Sequence, residues 1–297
     1  MPSVLRTEGL SKRFGSFQAV DNLSLDVQEG DIYGFLGVNG AGKTTTMRMI
    51  LRLIRPTSGS VSVFGLDIRR HFIEIMKRVG CLVELPAYYP YLSAWKNLEI
   101  VRLATGGIEE KRIPEMLELV GLGKRMHDRV RTFSQGMRQR LGIAMALLPR
   151  PKLVLLDEPT NGLDPHGINH IREVIKDLNR REGVTFVISS HLLHEVEITC
   201  NRVGLIKQGK LLIEDTIQKI LAKTMSGVRV VGEPSERCAA LLKEMGLAIL
   251  DDPAGGLRVA AGPERFPEIA ARLVQSGVAL KEITPLRQTL EEFFLAQ

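Results

Sequence analysis

A glycine-rich segment, Gly-Val-Asn-Gly-Ala-Gly-Lys-Thr over residues 37–44, has the residue types and spacing of a phosphate-binding loop. It follows an apolar run over 32–36 that predicts a buried strand, and it precedes a run over 43–54 whose apolar residues recur at helical spacing. Glycines let the backbone approach a phosphate closely, and the N–H groups at the start of a helix attract the anion. We therefore predict a site in which Lys43 contacts the β- and γ-phosphates of a nucleotide and Thr44 offers its hydroxyl to Mg²⁺.

Two adjacent carboxylates are the second candidate for chemistry. Asp157 and Glu158 end an apolar strand pattern that begins at Leu153. At a sheet edge beside the phosphate-binding loop, Asp157 would hold Mg²⁺ through water, and Glu158 would be the general base for the attacking water. Read alone, two acids at a strand end are also compatible with a solubilising role, and a phosphate-binding loop is shared by kinases, GTPases and helicases.

Three further segments, in order along the chain, narrow the choice. Residues 132–140 read TFSQGMRQR before the Asp157 strand, residues 161–165 read NGLDP after it, and residues 189–191 read Ser-Ser-His after another strand pattern. They resemble the signature, the D-loop and the switch histidine of ATP-binding cassette (ABC) proteins. With the phosphate-binding loop and the two carboxylates, the resemblance runs from about residue 4 to 215 and implies the α/β fold of a P-loop ABC ATPase with a helical insert.

The resemblance also implies that two chains share the reaction. In the family, two cassettes clamp two ATP molecules between the phosphate-binding loop of one and the signature of the other. Lys43, Glu158 and His191 would be the catalytic residues, with His191 touching the γ-phosphate. Asp164, in the D-loop, would bridge the subunits. The expected cofactors are ATP and Mg²⁺.

The resemblance also implies which residues contact the ATP bound to the same chain and which contact the ATP bound to the partner chain. Phe14 would stack on adenine, with Val20 packed nearby. The residues expected to bind ATP are Phe14, Val20, Asn39, Gly40, Ala41, Gly42, Lys43, Thr44 and Thr45. The signature residues expected to act in trans are Ser134, Gln135 and Gly136.

This chain departs from the commonest cassette pattern in three places. Val38 replaces a frequent proline, the signature reads FSQGM rather than LSGGQ, and Glu84 stands at the Q-loop position where glutamine is usual. Because a carboxylate adds negative charge near Mg²⁺ and phosphate, we do not expect Glu84 simply to repeat the role of glutamine. The departures resemble the bacterial branch of bacitracin-, lantibiotic- and drug-export ATPases, whose chains also end in a short LEEFF-like helix.

That branch implies partners. We expect a separate transmembrane permease, contacted through the aromatic-rich stretch 85–95, and a second ABC subunit that is either identical or related. The chain would then lie at the cytoplasmic face of the cell membrane, held there through the permease. No direct contact with nucleic acid is expected.

The pattern of elements predicts two domains. An ABC ATPase domain is expected over 1–221, with a helical subdomain over about 90–148, and a small accessory domain over 222–297. The accessory domain has the βαββαβ order of a ferredoxin-like unit. Its expected elements are strand 228–232, helix 235–245, strands 247–250 and 256–260, helix 264–275, strand 278–283 and a last helix in TLEEFFLAQ.

Composition leaves one alternative function open. The chain has 297 residues, of which 44% are hydrophobic, and the formal charge of +6 is a mild excess that fits a solvated surface. Three separated cysteines favour neither a disulfide framework nor a zinc site, and the first residues, MPSVLRTEG, show no apolar signal core. The alternative is a soluble cassette ATPase acting on nucleic acid or the ribosome. Long coiled coils or a second cassette copy, which are usual in such proteins, are not evident in this sequence.

Overall fold

The strands and helices follow the apolar patterns of the sequence. The structure, a computed structural model, describes residues 2–84, 86–223, 225–252 and 255–287. It divides into two units, one ending at Ile217 and the other beginning at Gln218. This division lies a few residues before the domain boundary expected after residue 221.

The first unit contains two sheets and a group of helices. Its strands are β1 (Ser3–Phe14), β2 (Phe17–Leu23), β3 (Asp26–Gln28), β4 (Ile32–Leu36), β5 (Ser58–Val63), β6 (Leu66–Asp67), β7 (Val79–Leu82), β8 (Leu153–Asp157), β9 (Thr185–Ser190), β10 (Arg202–Lys207) and β11 (Lys210–Thr216). Its helices are α1 (Lys43–Ile50), α2 (Phe72–Met76), α3 (Ala94–Thr105), α4 (Arg112–Leu119), α5 (Gln135–Leu147), α6 (Pro165–Glu182) and α7 (Leu193–Thr199). Helix α8 (Ile217–Lys223) follows β11.

The larger sheet carries the loops of the predicted site. Its order is β11-β10-β4-β9-β8-β7, parallel except for β11. Strands β4, β8 and β9 are buried along their whole length, as continuous apolar runs predict. Because parallel strands end at the same edge, Leu36 lies beside Ser190 and Asp157 lies beside Ser189. The segments that follow these three strands therefore converge.

The smaller sheet is antiparallel, with the order β2-β1-β5-β6 and with β3 paired to β1. Its buried residues Leu5 and Leu10 share one hydrophobic core with Met47 and Ile50 of α1 and with Phe35 of β4. This shared core fixes the β1–β2 hairpin against the phosphate-binding loop.

The segment between β7 and β8 is helical, which confirms the predicted helical insert. Ser93 caps α3 by accepting a hydrogen bond from the Lys96 N–H at 3.2 Å, and Ser134 caps α5 by accepting one from the Met137 N–H at 3.2 Å. Both caps satisfy backbone donors that a helix cannot pair internally. Helices α3, α4 and α5 pack through fully buried side chains that include Leu98, Ile113 and Leu141.

The second unit has the predicted βαββαβ order. Its elements are β12 (Met225–Glu233), α9 (Ser235–Glu244), β13 (Ile249–Asp251), β14 (Leu257–Val259), α10 (Phe266–Gln275) and β15 (Ala279–Arg287). The strands pair antiparallel in the order β13-β14-β12-β15, so β14 lies between the two strands that α9 connects. This arrangement is a split βαβ unit, as in ferredoxin-like domains. Its core includes Val228, Val230, Leu242, Ile269 and Leu273.

Several boundaries in this unit differ from the predicted ones; the first strand, for example, begins at Met225 rather than at residue 228. The second strand begins at Ile249 rather than at residue 247, because Leu247 donates its N–H to the Leu242 carbonyl at 3.1 Å and so belongs to the turn that ends α9. The last strand continues to Arg287 because it pairs with β12 along most of that strand's length. The expected final helix, 289–297, lies outside the described residues.

Candidate nucleotide-binding site

The phosphate-binding loop connects β4 to α1 in the predicted way. Gly42 precedes α1 with a φ of 107°, a left-handed conformation that glycine adopts easily. A Cβ atom on Gly42 would lie 2.6 Å from the Ala19 carbonyl oxygen, and one on Gly37 would lie 2.5 Å from that of Ile206. The loop is therefore enclosed by backbone on its outer side, and the unpaired N–H groups of the first turn of α1 form an anion-binding end.

Lys43, Glu158 and His191, which lie far apart in the sequence, meet at this end of the sheet. The Lys43 ammonium donates to the Gly37 carbonyl at 2.6 Å and lies 3.3 Å from the Glu158 carboxylate. The other oxygen of that carboxylate lies 2.9 Å from Nδ1 of His191. Glu158 has a φ of 48°, so the chain turns sharply directly after β8. The three residues expected to be catalytic thus form one connected group.

A second polar group surrounds Asp157. Its carboxylate accepts hydrogen bonds from the Thr44 hydroxyl at 2.8 Å and from the Ser189 hydroxyl at 2.5 Å. Ser189 in turn accepts from the Glu158 N–H at 2.9 Å, which ties the ends of β8 and β9 together. A hydroxyl and a carboxylate side by side supply the oxygen ligands that Mg²⁺ prefers. Thr44 and Asp157 therefore fit the predicted metal site.

A cavity of about 290 Å³ opens beside the loop. It is lined by seven consecutive residues of the loop and the start of α1, by Glu158 and by two residues of the β1–β2 hairpin. The lining residues are Phe17, Ala19, Asn39, Gly40, Ala41, Gly42, Lys43, Thr44, Thr45 and Glu158.

The hairpin residues differ from the expected ones. Phe17 lines the cavity, whereas Phe14, expected to stack on adenine, does not; the Phe14 ring instead has the Lys12 ammonium 4.9 Å from its centre. Val20, expected to pack near the base, is fully buried, and its side chain lies behind Gly42. The sequence carries one signal for Phe17, a second aromatic residue three positions after Phe14.

The signature and the D-loop contact each other rather than the cavity. A Cβ on Gly136 would lie 2.9 Å from the Gly162 carbonyl oxygen, so the start of α5 packs directly on the D-loop. Asp164 caps α6 by accepting from the Gly167 N–H at 3.0 Å. Ser134 and Gln135 are exposed to solvent and are absent from the described residues that line the cavity.

Glu84 has a partner that the sequence did not indicate. It follows β7 with a φ of 64°, and its carboxylate forms an ion pair with Arg48 on α1. The hydrogen bond to Glu84 is the main reason why the pKa of Arg48 is raised. The negative charge at the Q-loop position is thus offset by a cation on the helix that begins with Lys43 and Thr44.

The comparisons with known proteins agree with this geometry. The model of the ABC transporter family matches residues 20–161. The chain is 40% identical over 298 residues to the bacitracin transport ATP-binding protein BcrA of Bacillus licheniformis, covering 99% of this chain and 97% of the relative. It is 40% identical over 211 residues to the lantibiotic transport ATP-binding protein SrtF of Streptococcus pyogenes, covering 71% and 90%.

A solved structure matches as well. The chain resembles the dimeric, post-hydrolysis structure of the ATP-binding cassette MJ0796 bound to ADP and Pi, with a TM-score of 0.67, 25% identity and coverage of 72% of this chain and 98% of the other. Both curated relatives are named as transport proteins, which supports a transporter subunit over a cassette ATPase acting on nucleic acid or the ribosome. This chain belongs to the ABC transporter family and is an ATP-binding subunit with ATPase activity.

Proposed function

We propose that this chain powers the export of a compound through a separate transmembrane permease by closing as a dimer around two Mg-ATP molecules. One observation supports the dimer above all: the cavity beside the phosphate-binding loop contains Lys43 and Glu158, but, within the described part of the chain, not Ser134. The contacts expected from the signature residues would therefore come from another chain. The export direction follows the branch of bacitracin and lantibiotic transport proteins to which this chain is similar.

The proposed chemistry uses the two polar groups described above. Glu158 accepts a proton from the attacking water while the water oxygen bonds to the γ-phosphorus and the bond to the leaving ADP oxygen breaks. His191, 2.9 Å from the Glu158 carboxylate, holds it in place and contacts the γ-phosphate. Lys43 stabilises the negative charge that spreads over the phosphate oxygens. Mg²⁺, held by Thr44 and through water by Asp157, would neutralise part of the same charge. The first-turn N–H groups of α1 orient the phosphates.

The permease contact is proposed at the aromatic stretch after Glu84. Tyr89 and Tyr91 are 60% and 75% exposed, yet the Tyr89 backbone is fixed by the buried Asn97, which accepts from its N–H at 2.7 Å and donates to its carbonyl at 3.2 Å. Exposed rings on a rigid backbone suit an interface, because little conformational entropy is lost on binding. Among the described residues, no helix has the length and apolar character needed to span a bilayer.

Membrane binding tests this proposal. Purified chain is added to membranes of the native host from which peripheral proteins have been stripped, and the bound fraction is measured by flotation. We expect Tyr89→Ala and Tyr91→Ala each to weaken binding by about tenfold, as interface anchors do, without changing the melting temperature or ATP affinity.

Ile73→Ala is the matched control, since Ile73 is an exposed apolar residue on α2, outside the aromatic stretch. The docking assignment is wrong if both tyrosine variants bind as the wild type and Ile73→Ala do. If the chain binds protein-free lipid vesicles as well as it binds the stripped membranes, the result would argue against a permease altogether.

A further inference from the structure

A partly buried ion pair connects the helix after the D-loop to the helix after the switch histidine. One guanidinium nitrogen of Arg172, on α6, lies 3.2 Å and 3.0 Å from the two carboxylate oxygens of Glu195, on α7. The other terminal nitrogen of Arg172 donates to the Asn169 side chain at 2.9 Å. The Arg172 and Glu195 side chains are only 15% and 18% exposed.

This burial distinguishes the pair from ordinary surface pairs. On the same helix, Arg180 and Asp177 approach only to 3.9 Å, and Arg180 is 74% exposed, so their interaction is screened by water. At Arg172, loss of either partner would leave a charge with little solvent around it, which is costly.

Helix α7 packs on the sheet through Val196 and, just after the helix, through Cys200, both of which lie against Gly34 of β4. Val196 is its buried residue, and no side chain caps its N-terminus. A small cavity of about 20 Å³ lies between α6, α7 and the end of β9, and its lining includes Arg172 and Glu195. Among the hydrogen bonds and ion pairs of the described residues, the Arg172–Glu195 pair is the one that joins side chains of α6 and α7.

Both helices begin at residues of the active site. Asp164 caps α6, and His191 stands two residues before Leu193, the first residue of α7. The same cavity is lined by Pro159 and Ser190, the neighbours of Glu158 and His191. A shift of α7 would therefore move His191 away from the Glu158 carboxylate, which it contacts at 2.9 Å.

We propose that Arg172 is a positioning residue for ATP hydrolysis: through Glu195 it holds α7, and with it His191, in a fixed place relative to Glu158 and the D-loop. The pair lies outside the nucleotide cavity, so it does not contribute to ATP binding. Its effect appears in the chemical step.

Steady-state ATPase kinetics of the full-length chain test this role. Glu195→Gln keeps the shape of the side chain and removes its charge, so we expect kcat to fall about tenfold while KM for Mg-ATP changes less than twofold. Arg172→Met should have a similar effect, and Arg172→Lys, which keeps the charge, should recover most of the lost kcat. The double variant Arg172→Met with Glu195→Gln should be no worse than the single ones, because both remove the same contact.

Asp177→Asn, which breaks the exposed pair on α6, is the matched control and should leave kcat unchanged. The proposal is overturned if Glu195→Gln behaves like Asp177→Asn, or if KM rises as much as kcat falls. It is equally overturned if the loss of kcat disappears at a lower temperature at which all variants are fully folded, since the pair would then be merely structural. Should Arg172→Met fail to fold, the kcat of Glu195→Gln is compared with that of Arg172→Lys. A low kcat in the first and a nearly normal kcat in the second support the proposal, and equal values overturn it.

Discussion

At the scale of single residues, the catalytic group could be predicted from the sequence because each member follows a recognisable strand. Lys43, Glu158 and His191 follow β4, β8 and β9, and adjacent parallel strands bring their ends together. Phe17 and Arg48 were not predicted. Which hairpin aromatic faces the cavity depends on the β1–β2 register, which shifts near Lys12, and no periodicity in the sequence shows such a bulge.

The position of Phe17 gives a prediction that separates it from Phe14. We expect Phe17→Ala to weaken Mg-ATP binding by about 1–3 kcal/mol, the usual range for loss of a base–aromatic contact, and at least as much as Phe14→Ala does. Isothermal titration calorimetry with Mg-ATP measures both. Phe17 lines the cavity, whereas Phe14 does not.

Ile73→Ala again serves as the control for loss of an exposed apolar side chain. A large loss of affinity in Phe14→Ala combined with none in Phe17→Ala would show that the base lies against Phe14. The assignment of the base contact to Phe17 would then be wrong.

At the scale of elements, buried parallel strands and capped helices were predictable, and short strands in the second unit were not placed as well. The strands β4, β8 and β9 are uniformly apolar, and Ser93 and Ser134 are helix caps with a clear physical role. By contrast, the three-residue strand β13 is too short to show an alternating pattern. Its start is decided by the hydrogen bond that keeps Leu247 in the turn after α9, which the sequence does not show.

The division between units predicts that the second unit is not needed for ATP binding. A chain ending after residue 223 should fold and bind Mg-ATP with the affinity of the full chain, because the residues that line the cavity and the core beneath it belong to the first unit. Circular dichroism and calorimetry check this against the full-length protein. A truncated chain that folds but has lost ATP binding would contradict it.

At the scale of the whole molecule, the order of the motifs identifies the ATPase, whereas the proposed dimer rests on the signature's absence from the described lining of the chain's own nucleotide cavity. The sequence places the signature before Asp157 but does not reveal that Gly136 packs on Gly162 with Ser134 facing solvent. Tertiary packing decides this, because α5 and the D-loop lie apart in the sequence and meet only in the folded chain. The Ser134 end of α5 is thus free to serve the nucleotide of a second chain.

The molar mass of the Glu158→Gln variant, measured by light scattering with and without Mg-ATP, tests this central claim most directly. The variant keeps the phosphate-binding loop but cannot accept the proton of water, so ATP should persist and hold two chains together. We expect a monomer without nucleotide and a dimer with Mg-ATP, and we expect Ser134→Arg added to the same chain to abolish the dimer. A Glu158→Gln chain that binds ATP yet stays monomeric, or a dimer unaffected by Ser134→Arg, would contradict a site shared between two chains.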